Sequence, residues 1–157
     1  MNKKMNKDER DCNLLRDLEA LVEGVKDCPT GVLANAAALI HERMQFFWVG
    51  FYMVDDGLLK LGPFQGPVAC YRIGYGKGVC GTAWKRGETV IVPDVEQFEG
   101  HIACSSLSRS EIVVPLLDGD GKVFGVLDID SRELATFDDT DRLHLESVCR
   151  IISRNII

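Results

Sequence analysis

The sequence predicts an α+β domain in which a central antiparallel sheet carries helices from both ends of the chain on one face and a ligand pocket on the other. Three observations support this. Apolar residues recur at three- and four-residue spacing over 8–27, 30–43 and 137–155, the helical period, at the two ends of the chain. Between them, 46–61 and 111–130 each read as two strands joined by an Asp/Gly turn, and hairpins imply antiparallel pairing. The remaining short helix and loops fall on the uncovered face, where a pocket is expected. A chain of 157 residues, 46% of them hydrophobic, is long enough for one core, and it reads as a single domain over 1–157.

In the first helix Leu14, Leu15, Leu18, Leu21, Val22 and Val25 form the apolar stripe, and Cys28-Pro29 ends it, because the residue before proline avoids the helical region. Thr30 caps the second helix, with Val32, Ala36, Leu39 and Ile40 on one face. His41 near its end suits the helix dipole. From Phe46 to Val54 the period changes to two, and apolar or aromatic residues on both faces make this a central strand. Asp55-Asp56-Gly57 turns the chain back into Leu58–Leu61. Gly62 to Pro67 reads as a rigid connection, and Val68–Ile73 as a short strand carrying Cys70. The glycine-rich run Gly74–Gly81 opens a short helix, about Val79–Arg86. It lacks the Gly-Lys-Ser/Thr ending of a nucleotide phosphate loop, but its free amides could hold a small carboxylate. Thr89–Val92 is a strand, and the polar loop Gly100–Glu111 leads into the second hairpin, Glu111–Leu117 with Lys122–Asp130. Asp138 caps a last helix with Leu145, Val148, Ile152 and Ile156 inward.

The formal net charge of −6 argues against a nucleic-acid surface. The polar opening residues lack a signal peptide's apolar stretch, and no run reaches the ~18 apolar residues of a membrane helix. A cytoplasmic chain without membrane contact is expected. Its six cysteines then need not be disulfides, and without Cys-x-x-Cys or His-x(3–5)-His spacing no structural metal site is expected. Cys12 and Cys149 lie on helices, where Cys149 reads as core.

Cys70, Cys80 and Cys104 all fall in the pocket-building half, in small-residue segments. Each alone could be a small buried hydrophobe, but three on one side of a sheet suit thiol–disulfide chemistry, with one thiolate attacking and another resolving. His101 and Arg109 flank Cys104, a setting that could favour the thiolate. Strand alternation puts Asp128 and Asp130 on one face, and Glu111 opens the neighbouring strand. These acids could lie exposed on a surface strand, or they could line the pocket, bind an ammonium group and supply a proton. Trp48 and Tyr52 share a strand face and could wall the same pocket or belong to the core.

The ordered set Phe47–Tyr52 (FWVGFY), Leu61–Gly66 (LGPFQG), Gly78–Gly81 (GVCG), Gly100–Cys104 (GHIAC), Ser110–Pro115 (SEIVVP) and Gly125–Ser131 (GVLDIDS) resembles the free methionine-(R)-sulfoxide reductases, from about Leu14 to Asn155. That resemblance implies a GAF-like fold and reduction of free L-methionine (R)-sulfoxide to methionine, with no bound cofactor and thioredoxin as reductant. It implies Cys104 as nucleophile, Cys70 as the main resolving thiol and Cys80 as an additional redox cysteine. Glu111, Asp128 and Asp130 match its substrate-binding acids, and Trp48 and Tyr52 its aromatic wall. Ser105 departs from the family's acid after the nucleophile, which removes a like charge beside Cys104. A homodimer is compatible with this fold. A catalytic loop that must bring Cys104 to a second thiol is expected to differ between redox states over 94–109. The alternative class is a non-catalytic small-molecule-sensing GAF module, and a third reading is a general thiol peroxidase.

Overall fold

A computed structural model describes residues 6–102, 104 and 106–157. Met1–Met5, Ala103 of the Gly100–Cys104 motif and Ser105, the departure from the family's acid, lie outside the described residues.

The helices are α1 (Lys7–Val22), α2 (Pro29–Met44), α3 (Gly78–Arg86) and α4 (Asp139–Ile156). The strands are β1 (Trp48–Asp55), β2 (Leu58–Gln65), β3 (Arg72–Gly74), β4 (Val90–Val92), β5 (Ser110–Leu117) and β6 (Val123–Ser131). They form one antiparallel sheet in the order β3-β2-β1-β6-β5-β4. The two hairpins therefore meet at the centre, where β1 pairs with β6.

Alternation along these central strands divides the core in two. Val49 and Phe51 of β1, Ile112, Val114 and Leu116 of β5, and Leu127 and Ile129 of β6 pack under α1, α2 and α4. Trp48, Tyr52, Val113 and Val126 point the other way and pack with Val79, Cys80 and Ala83 of α3. The expected one-sided arrangement of the terminal helices is thus what the chain builds.

The N-termini of α1 and α4 are fixed together. Each has a capping box, Asn6 with Glu9 and Asp138 with Asp141. Asp141, wholly buried, pairs with Lys7 at 2.5 Å and Arg10 at 3.4 Å, and Arg10 pairs with buried Asp11 at 2.8 Å.

Four boundaries differ from the sequence reading. The first helix ends at Val22, because the chain turns at Gly24 with φ of 75°, and Val25 reaches the core from outside the helix. Cys28, not Thr30, is the N-cap of α2, with Pro29 as its first residue, where a missing N–H costs nothing. The supposed connection Gly62–Gln65 belongs to β2, and its Pro63 falls where the β1–β2 register shifts, a place a sheet tolerates proline. Cys70 lies outside any strand, since β3 starts only at Arg72.

Candidate active site

A cavity of about 50 Å³ opens on the α3 side of the sheet. Every predicted site residue but Cys70 lines it, and Cys70 joins through a disulfide with Cys104 at a Cα–Cα distance of 5.5 Å. The bridge links the segment after β2 to the loop before β5, 34 residues apart, and both cysteines are half-buried. Cys80 is not part of it. It sits in the first turn of α3, 3% exposed, with a free thiol.

The acids form the floor. Glu111 pairs directly with Asp130 across the β5–β6 ladder, and Asp128 follows two residues before Asp130 on the same face. Glu111 is 6% and Asp128 7% exposed. Burial first, and then the neighbouring carboxylates, push Glu111 far above the usual carboxylate range, and its carboxyl also hydrogen-bonds Asp130 and Asp128. Asp128 is raised well above its ordinary value by burial and by Asp130, while hydrogen bonds from Cys80 and Glu111 oppose the shift. Asp130, near the mouth, is raised by burial to about 6, restrained by Ser108, whose hydroxyl donates to it at 3.0 Å, and by Glu111. Burial and mutual repulsion thus favour protonated carboxyls in this group of acids. Burial also pushes the Cys80 thiol up, and the surrounding carboxylates oppose its ionisation further.

Aromatic side chains make the wall. Trp48 stacks between Tyr52 and Phe64, with ring centroids 6.0 and 5.3 Å apart, and its indole N–H donates to the Pro67 carbonyl at 3.0 Å. A Cβ at Gly50 would overlap the Trp48 ring and Phe64, so only glycine leaves the indole its place. Tyr52 does more than wall the pocket. Its hydroxyl donates to the Cys70 carbonyl at 2.9 Å and so holds the Cys70 segment over the sheet.

The expected cations beside Cys104 are not realised. His101 lines the cavity, but burial lowers its pKa and favours the neutral ring. Arg109 is exposed and serves through its backbone, donating to Ser131 at 2.8 Å and accepting from Val95 at 2.9 Å. Lys77 and the start of α3, Gly78 and Val79, instead bring positive character to the rim. Ser108, which orients Asp130, and Lys77 were missed as site residues. Only the loop position of Ser108 and the glycine-rich setting of Lys77 hinted at them.

Comparison with known proteins agrees with this architecture. The GAF domain family matches residues 29–156. GAF domain-containing protein A of Dictyostelium discoideum is 51% identical over 95% of this chain and 94% of its own length. The free methionine-R-sulfoxide reductase of Saccharomyces cerevisiae is 42% identical over 98% of this chain and 89% of its own. The X-ray structure of free methionine-R-sulfoxide reductase from Neisseria meningitidis in complex with its substrate superposes with a TM-score of 0.93 at 49% identity, covering 98% of this chain and 92% of that one.

Proposed function

We propose that this chain, which belongs to the GAF-domain family of free methionine-R-sulfoxide reductases, reduces free L-methionine (R)-sulfoxide to methionine with its own thiols as the immediate electron source. The observation that carries this reading is the Cys70–Cys104 bridge at the edge of a pocket floored by three acids.

The free amino acid enters with its ammonium group toward Asp130 and Asp128. Its carboxylate turns to the N-terminus of α3, where Lys77 provides no side-chain cap and the first amides are available. Trp48 and Tyr52 flank the sulfoxide-bearing chain. The Cys104 thiolate attacks the sulfoxide sulfur while a protonated acid, Glu111 or Asp128, gives its proton to the oxygen. The oxygen passes to Cys104 as a sulfenic acid and methionine leaves, so the substrate sulfur gains the electron pair that Cys104 gives up. The Cys70 thiol then attacks the sulfenic sulfur, forming the disulfide and releasing water. An external dithiol of the thioredoxin kind resets the bridge by exchange, and no bound cofactor enters the cycle. Cys80, buried against acids that oppose its thiolate, is the weaker candidate for the first resolving step.

A purely sensing GAF module would need no such bridge. The deciding assay compares free and N-acetylated methionine sulfoxide as separate epimers. The free R epimer is expected to turn over at least tenfold faster than the blocked one, since the acetyl group removes the charge the acids bind. Equal rates would overturn the reading. Among the described residues no helix is long and apolar enough to cross a membrane. We place the enzyme in the cytoplasm, where a dithiol reductant is at hand.

A further inference from the structure

Cys80, Glu111 and Asp128 converge from α3, β5 and β6, and one ligand atom of each lies within 4.8 Å of the others. All three side chains are buried. With Cys104 bridged to Cys70, the Cys80 thiol is free beside the two acids. A second observation points to a ligand. Although the Asp128 carboxyl meets Cys80 and Glu111, its Oδ1 atom is buried with no hydrogen-bond partner among the described residues, in a residue that lines the cavity. A carboxylate oxygen so placed is costly unless a cation or donor meets it. One thiol with two carboxylates is a donor set that suits zinc and its neighbours, not calcium or magnesium, which prefer oxygen alone.

We propose that Cys80, Glu111 and Asp128 form a site for a zinc-class divalent cation. Binding breaks the Cys80 S–H bond and forms a metal–sulfur bond, and protons held by the carboxyl groups leave for solvent as metal–oxygen bonds form. No electron is transferred. Ligand atoms around tetrahedral zinc stand about 3.5 Å apart, so a cluster within 4.8 Å needs to close by at most about 1.3 Å, and water from the cavity can complete the set. Such a cation occupies Asp128, which the proposed reaction turns toward the substrate's ammonium group, and Glu111, one of its proton donors, so it acts as an inhibitor. This consequence rests on the function proposed above, whereas the site itself does not.

A second cluster, Asp8, Cys12 and His144, provides the control. Its ligand atoms are equally close, but Asp8 and Cys12 are exposed and Asp8 already meets His144 Nε2 at 2.8 Å. The test titrates the full chain in its disulfide form with cobalt(II) and then zinc chloride. A thiolate-to-cobalt charge-transfer absorption is expected at one ion per chain, abolished by zinc. Cys80→Ser should remove the band and weaken zinc binding at least tenfold, Asp128→Asn should weaken it similarly, and Cys12→Ser should leave both unchanged. A band that survives Cys80→Ser, or vanishes with Cys12→Ser, overturns the site. If circular dichroism shows Cys80→Ser unfolded, Asp128→Asn decides, and unchanged zinc affinity there overturns the site. Free methionine, added to the wild-type protein, should weaken zinc binding. A Cys80-dependent band indifferent to methionine supports the cation site and counts against the substrate pocket.

Discussion

Glu111 and Asp130 stand directly opposite each other in the β5–β6 ladder, two carboxylates in register on the cavity face. Like charges so placed destabilise each other, and burial removes the water that would screen them. The pair therefore keeps a proton that solvent-exposed acids would lose. This relationship turns a strand pairing into acid chemistry.

The pH profile follows from it. As pH falls through about 6, Asp130 gains a proton and the substrate's ammonium loses its counter-charge, so kcat/KM should fall. As pH rises far enough to ionise Glu111 and Asp128, the proton donor is lost and kcat/KM should fall again. Asp130→Asn should raise KM and erase the acidic limb. An unchanged acidic limb in that variant would assign it elsewhere.

Stability should move in the opposite sense to function. Asp130 has a folded pKa of about 6 against an ordinary 3.8, so the folded state binds more protons than the unfolded one between those values. Stability from this group is present below that window and is lost as pH rises through it. Asp130→Asn should therefore stabilise the fold by up to about 3 kcal/mol at alkaline pH, with the gain vanishing in acid. Urea titrations at several pH values measure it.

The two bridged cysteines should fail differently. Cys104→Ser should lower kcat/KM on the order of 10³-fold or more and abolish methionine release even in a single turnover with the other thiols reduced. Cys70→Ser should release close to one methionine per chain in a burst and then stall, because the sulfenic acid forms but is not resolved. Mass spectrometry with a sulfenic-acid trap identifies the stalled species. Full steady-state turnover in Cys70→Ser would move the resolving role to Cys80.

Gly50→Ala tests the aromatic wall. The added methyl meets the Trp48 ring and Phe64, both packed against the sheet. The expected cost is roughly 1–3 kcal/mol of stability, with a raised KM as the indole is displaced. Thermal melts and substrate titration check the two effects separately.

Much of this molecule was legible in its periodicities. Val49 and Phe51 against Trp48 and Tyr52 already divide β1 into a helix-covered and a pocket face, and Asp128 and Asp130 against Leu127 and Ile129 do the same for β6. Element ends were less legible. Val25 keeps the helical spacing of α1 although the chain has already turned at Gly24, since a core contact can be made from a turn as well as from a helix. Pro63 suggested a break, but a register shift in the β1–β2 pair accommodates it.

By itself the sequence determined which strands have an apolar face on each side, where the helices lie and which residue types can do redox and acid chemistry. Those properties are local, set by a repeat of two or 3.6 residues and by the chemistry of each side chain. Only the tertiary structure decided that Cys104 bridges Cys70 while Cys80 faces Asp128, that Tyr52 holds the Cys70 carbonyl, and that His101 is driven toward neutrality beside the site. Thiol partners and proton affinities depend on distance and burial, which arise when segments remote in sequence close over the same face of the sheet.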